Sequence, residues 1–222
     1  MNYHKLIIDD GTELNAGTIY CIGQNYARHA SEMGSSVPEV PTVFIKPPAA
    51  YIPDGANIIL PTFSTNVHHE VELVVLIGKD CHIIDIDKAS EYIAGYAVGI
   101  DVTLRDLQSA AKNDGKPWAV AKGFYTSAPV SEFVSATKFN GKIPDFSLEL
   151  SVNNQLRQQD SSAEMERSIS QLIKYLAEVF TLRRGDMIFT GTPSGVGKIE
   201  HNDKITAELK GYKKLSVGVT RC

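Results

Sequence analysis

Cysteine is scarce in this 222-residue sequence: Cys21, Cys81 and Cys222 are odd in number, far apart and free of any Cys-x-x-Cys pair. That argues against a disulfide framework and against a zinc ribbon, and it fits a reducing, cytoplasmic setting. Positive charge is also short, with 22 Lys+Arg against 26 Asp+Glu and a formal net charge of -4. No basic excess exists to neutralise nucleic-acid phosphates or to hold an anionic membrane surface, so neither partner is expected and a small molecule is. Long apolar runs are missing as well: nothing approaches the roughly 18 residues of a spanning helix, and the run from Val71 to Gly78 is broken by Glu72. The first ten residues have one lysine, two acids and no apolar h-region, so they read as neither secretory signal nor transit peptide, and Met1 is expected to open the folded protein.

What is present suffices for one large core, since 43% of residues are hydrophobic and 22% charged. Without repeats, linkers or low-complexity tracts, a single domain over residues 1–222 is expected. Apolar runs bounded by Gly, Pro and Asn/Asp predict strands at 18–22, 42–45, 57–60, 70–77, 94–100, 146–152, 187–190 and 204–209. The clearest predicted helix covers 168–180, where Ile169, Leu172, Ile173, Leu176, Val179 and Phe180 follow helical spacing behind a Ser168/Gln171 capping box, with Arg183, Arg184 and Gly185 closing it. A second is predicted over 104–112 with Thr103 as cap and Asp106 three residues on, and a short third over 25–33. The sum is a mixed α/β, strand-rich fold with few helices.

Several clusters can carry chemistry. In His68-His69-Glu70-Val71-Glu72-Leu73-Val74, strand alternation sets Glu70 and Glu72 side by side on a face that turns apolar at Val74 and Leu76. Such a pair resists burial unless a cation sits between the groups, and hard oxygen donors favour magnesium, manganese or calcium over zinc. An edge strand with a solvated acidic end would explain an isolated Glu-x-Glu equally well. Asp101 closes an apolar, glycine-bearing strand just before a helix, where either a site residue or a helix-entry cap is found. Lys122 stands amid apolar residues and needs a carboxylate or bound anion, unless it snorkels beside Trp118.

His29 and Glu32, three apart, share one helix face: a base with an orienting carboxylate, or an ordinary surface pair. The segment Gly191-Thr192-Pro193-Ser194-Gly195-Val196-Gly197 after a strand can offer backbone N–H groups to an anion or be a plain turn. It matches neither a Walker loop nor a dinucleotide fingerprint, and neither His-Glu-x-x-His nor Gly-x-Ser-x-Gly occurs. His68 and His69 face opposite ways and cannot chelate together.

Taken in order, Tyr20-Cys21-Ile22-Gly23-Gln24-Asn25-Tyr26 leading to His29 and Glu32, Phe44-Ile45-Lys46-Pro47, His69-Glu70-Val71-Glu72-Leu73, Gly99-Ile100-Asp101-Val102-Thr103 with Arg105 and Gln108, Lys122-Gly123-Phe124, and Gly185-Asp186 before Gly191-Thr192-Pro193 resemble the fumarylacetoacetate hydrolase family, in its small single-domain acylpyruvase and oxaloacetate decarboxylase-like branch. The likeness runs over nearly the whole chain. It implies the family's β-sandwich roll, a homodimer, and a divalent metal held by Glu70, Glu72 and Asp101: magnesium or manganese, with calcium able to substitute in crystals. It further implies that His29 and Glu32 activate water on a lid segment at about 25–41, that Lys122 lies near the substrate, and that Lys46, Arg105, Gln108 and Thr192 line its pocket.

The chemistry so implied is physically coherent. A 2-oxo acid can chelate a metal that stabilises the enolate left when a bond beyond the keto group breaks. The expected activity is hydrolysis of a C–C bond in 2,4-diketo acids (acylpyruvates, fumarylpyruvate-like) to pyruvate and a carboxylic acid. Oxaloacetate decarboxylation is the second expectation and 2-hydroxyhepta-2,4-diene-1,7-dioate isomerisation the third, and a silent metal-binding protein is disfavoured by the intact dyad.

Overall fold

The computed structural model describes residues 4–221, so Met1 and Cys222 lie outside the described residues. Two sheets make the frame. The larger has six strands in the order Val134–Ser135, Ile93–Ile100, Val71–Ile77, Met187–Phe189, Ile19–Gly23 and Thr42–Lys46, antiparallel except where Met187–Phe189 meets Ile19–Gly23. The second has five, in the order Gln155–Ser161, Ser147–Val152, Lys204–Leu209, Lys213–Arg221 and Asn57–Leu60, with only the last pair parallel.

The strand Val71–Ile77 is buried along its whole length because both faces of its sheet are covered. Val71, Leu73, Val75 and Ile77 point into the core shared with the second sheet and with the helix Ile169–Phe180. Val74 and Leu76 point the other way, into a core with Ile19, Cys21, Phe133, Met187 and Phe189. Each fully buried Val or Leu contributes about 1.5–3 kcal/mol, which anchors the strand whose first residues carry the site. Opposite Glu72 stands Gly99, where a Cβ would come within 2.6 Å of Val74 Cγ2 and 2.8 Å of Phe189 Cε1. Only glycine lets Phe189 pack there.

The described helices are α1 (Ala27–Glu32), α2 (Arg105–Asn113), α3 (Ala119–Lys122) and α4 (Ile169–Phe180), besides 3-10 turns. α4 has the expected capping box, with Ser168 Oγ accepting from Gln171 N and Gln171 Oε1 accepting from Ser168 N. It ends at Phe180 as expected, but what closes it is corrected: Thr181 turns the chain with φ 59°, and Arg183 and Arg184 bind Asp80 instead of closing the helix. The expected cap of α2 is also corrected: Thr103 belongs to a short strand paired with Val67–His69, and Leu104 holds the N-cap position without a side-chain bond. The Thr103 hydroxyl is taken by Asp101 O and Lys122. No helix among the described residues is long and apolar enough to cross a membrane.

Candidate active site

The strand pairing brings the acids together. Asp101 follows the strand Ile93–Ile100, and its N–H donates to Glu70 O at 2.8 Å, so Glu70 and Asp101 sit at the same end of neighbouring strands with Glu72 beside them. Ligand atoms of Glu70, Glu72 and Asp101 all lie within 4.8 Å of one another, and all three side chains are buried.

Three cations answer the three carboxylates, but unevenly. The Lys122 ammonium at the end of α3 donates to Glu70 Oε2 (2.8 Å), Asp101 Oδ2 (2.6 Å) and Thr103 Oγ1 (2.6 Å), which uses all three of its protons. Arg105 Nη2 donates to Glu70 Oε1, and Lys46 Nζ lies 2.8 Å from Asp101 Oδ1. Burial alone would raise Glu70, yet Lys122 and Arg105 overcome it and hold the carboxyl well below the usual range. Glu72 has no cation against it among the described residues; its one charge-stabilising contact is the Gly191 N–H, 2.7 Å from Oε2. Burial, then Asp101 and Glu70, push its proton affinity well above that of an ordinary glutamate. Asp101 Oδ1, buried beside it, accepts no hydrogen bond of good geometry. A buried carboxylate without a counter-ion, faced by two others, is a donor set that fits a divalent cation of the hard, oxygen-seeking kind.

Above this floor opens a cavity whose wall includes Gln24, His29, Phe44, Arg105, Gln108, Lys112, Trp118, Lys122 and Thr192. His29 on α1 faces it, with Nδ1 3.2 Å from Glu32 Oε2. Glu32 is held from behind by the Gly195 N–H, at 3.1 and 3.2 Å from its two oxygens. The glycine loop therefore spends its N–H groups on the protein's own acids, Gly191 on Glu72 and Gly195 on Glu32. Arg105 Nη1 donates to Gln108 Oε1 at 2.5 Å, which leaves the Gln108 amide N–H groups for the cavity.

Of the residues expected from sequence, Glu70, Glu72, Asp101, His29, Arg105, Gln108, Lys122 and Thr192 meet at the cavity. Lys46 stands elsewhere: it is fully buried behind Asp101, donating to Val102 O and Lys122 O. Glu32 stands behind His29 rather than on the wall.

Two residues escaped sequence reasoning. Gln158 is buried on the polar strand Gln155–Ser161 and fills its whole hydrogen-bonding capacity. Its Oε1 accepts from Val71 N (3.0 Å) and faces His69 Nδ1 (2.9 Å), and its Nε2 donates to Thr192 Oγ1 and Pro193 O (2.9 Å each). It thus ties the backbone between Glu70 and Glu72 to the glycine loop. Lys112 is the other, and its signal was available: Arg105, Gln108 and Lys112 are spaced i, i+3, i+7, one stripe of α2.

A family model described as "Fumarylacetoacetate (FAA) hydrolase C-terminal" matches residues 18–220. The chain is 43% identical over 206 residues to oxaloacetate tautomerase FAHD1, mitochondrial, of Bos taurus, covering 91% of each sequence. It is 44% identical over 194 residues to oxaloacetate tautomerase YcgM of Escherichia coli (strain K12), covering 87% of this chain and 89% of that one. Among solved structures, fumarylpyruvate hydrolase from Pseudomonas aeruginosa in complex with Mn2+ and pyruvate superimposes with a TM-score of 0.93 at 36% identity, over 99% of this chain and 97% of that one.

Proposed function

The chain belongs to the fumarylacetoacetate hydrolase family and is an enzyme of it, and from that premise we propose that it interconverts the enol and keto forms of oxaloacetate. The two curated relatives named above are oxaloacetate tautomerases, and they are nearer in sequence than the fumarylpyruvate hydrolase is. The observation that carries the reading is the His29–Glu32 pair on the wall of a cavity floored by three carboxylates.

Conversion of enol to keto form removes the proton on the enol oxygen and adds one at C3; no carbon–carbon bond breaks and no water is consumed. One group that takes and returns a proton is enough. Glu32, an acceptor only when ionised, fixes the His29 tautomer with its proton on Nδ1 and the lone pair on Nε2. Glu70, Glu72 and Asp101 would hold a divalent ion, magnesium or manganese, which when bound supplies a Lewis acid for the oxygens of a 2-oxo acid. Lys122 and Arg105 keep Glu70 ionised, and Lys122 and Lys46 fix the Asp101 side chain in place. Gln108 presents N–H donors to the substrate, and the Thr192 hydroxyl, which accepts from Gln158 and donates only to Pro193 O at 3.5 Å, can turn its O–H to it.

The segment 25–41 serves as the lid in this reading. Asn25 anchors the start of the segment, bonded to Arg167, Thr190 and Glu166; beyond it α1 has six residues, and the rest is tethered through fewer bonds: Glu32 to Gly195, Gln24 to Ser35, and the Arg167 guanidinium to the carbonyls of Pro38 and Glu39. Closing over a ligand would exclude bulk water from the proton transfer.

Hydrolysis of acylpyruvates is the second reading, favoured because the same His29–Glu32 pair suits removal of a proton from water and because the structural neighbour is a hydrolase. The two are separated by diluting enol oxaloacetate into buffer with magnesium or EDTA, following loss of enol absorbance, and measuring pyruvate from oxaloacetate and from acetylpyruvate in parallel. The proposal expects magnesium-dependent loss of enol far ahead of pyruvate release. Enol decay at the uncatalysed rate together with rapid cleavage of acetylpyruvate would replace it with the second reading, and pyruvate appearing from oxaloacetate in step with enol loss would mark a decarboxylase.

A further inference from the structure

We propose that Lys112 recognises the distal carboxylate of the substrate and so sets a preference for 2-oxo dicarboxylates over 2-oxo acids with an uncharged tail, an inference that rests on the oxaloacetate reading. The cavity holds several cationic side chains, and all but one are spoken for. Arg105 is bound to Glu70, and Lys122 to Glu70 and Asp101. Lys112 lines the same cavity and has no carboxylate within 4.0 Å among the described residues.

Its place on α2 gives the reason. Arg105 and Gln108 are buried at the floor end of the stripe, and Lys112 lies two turns beyond Arg105, about 10 Å along the axis, where the helix surface is exposed at the rim. There the ammonium lies 5.1 Å from the centroid of Trp118, another wall residue, in a cation–π contact that holds the arm beside the opening without neutralising it. Partial burial and the Arg105 and Lys122 charges lower its proton affinity somewhat, although Glu70 pulls the other way. The 2-oxo acid end of a substrate is drawn to the floor, so the far end of a short chain points to this rim. A carboxylate there meets an unpaired ammonium; an alkyl tail leaves it as it was.

A lysine that merely rests on Trp118 would have no effect on ligand choice, which makes the two accounts separable. Calorimetry on the magnesium-loaded protein would compare pyruvate, which lacks a distal carboxylate, with 3,3-difluorooxaloacetate, which has one and cannot enolise. In Lys112→Ala and Lys112→Gln the affinity for difluorooxaloacetate should fall by about tenfold, the worth of one charge-assisted hydrogen bond at a partly open site. Pyruvate affinity should stay within about twofold, and Lys112→Arg should retain most of the preference. Equal loss for both ligands, or no loss for either, would overturn the assignment of Lys112 while leaving the oxaloacetate reading intact. Failure of the unaltered protein to bind either ligand would remove that reading and this inference with it.

Discussion

Replacing Glu72 by glutamine should remove metal binding without harming the metal-free protein. The amide is isosteric, its oxygen can still accept the Gly191 N–H at the 2.7 Å position, and no cation among the described residues loses a partner. In the metal-free wild type, burial and the neighbouring Asp101 and Glu70 raise the Glu72 pKa above its ordinary 4.5. A carboxyl whose folded-state pKa is raised binds its proton more tightly folded than unfolded. Its ionisation therefore costs stability at pH values above 4.5, and the cost fades as the pH falls toward that value. At neutral pH in EDTA, Glu72→Gln should melt at or above the wild-type temperature. Magnesium or manganese at about 100 times its Kd should stabilise the wild type by about 2.7 kcal/mol, a rise of about 5–11 °C for a chain of this length. The variant should show no such rise. Melting curves in EDTA and in saturating metal decide it: a variant that keeps the metal-dependent rise, or that melts several degrees lower in EDTA, would refute the reasoning.

Gln158→Leu should strand the Val71 N–H, the His69 ring proton and the acceptor side of Thr192 in a buried region, at about 1–3 kcal/mol for each unsatisfied group; denaturant melts would show the loss, and turnover should fall with it. Gly195→Ala places a Cβ 2.3 Å from Arg157 O at a residue with φ +94°, so it should destabilise the fold, shift the N–H off Glu32 and lower kcat while metal affinity persists in calorimetry. Oxalate with magnesium should slow hydrogen exchange across residues 25–41, and identical exchange with and without it would count against the lid. Sedimentation should give twice the 24.3 kDa of one chain if the homodimer expected from the family holds, and a mass near 24.3 kDa would remove it.

How far the sequence revealed this can be judged from particular segments. The strand Val71–Ile77 and the capping box of α4 were legible because each is specified locally, by an apolar run that only Glu72 interrupts in one case and by a side chain bonding its own helix end in the other. The gathering of Glu70, Glu72 and Asp101 was legible as far as Glu70 and Glu72 share a strand face; that Asp101 joins them depends on the pairing of two strands. The strand Lys213–Arg221 went unseen although Leu215, Val217 and Val219 alternate as a half-buried strand requires, because it has no apolar run and Gly218 looks like a breaker, though a Cβ there would meet Asn57 Oδ1 at 2.4 Å. Gln158 could not be seen at all. Its strand carries almost no apolar pattern, and its partners lie 34 to 89 residues away. The helix cap assigned to Thr103 failed for a related reason: a hydroxyl with capping geometry in sequence was claimed by a buried lysine from another element.

Proton transfer is assigned to His29, oriented by Glu32. The measurement that tests it most directly is the rate of enol oxaloacetate loss in His29→Ala beside manganese affinity in the same variant. The rate should fall roughly 10²- to 10⁴-fold with manganese affinity unchanged. An undiminished rate in His29→Ala would contradict that assignment.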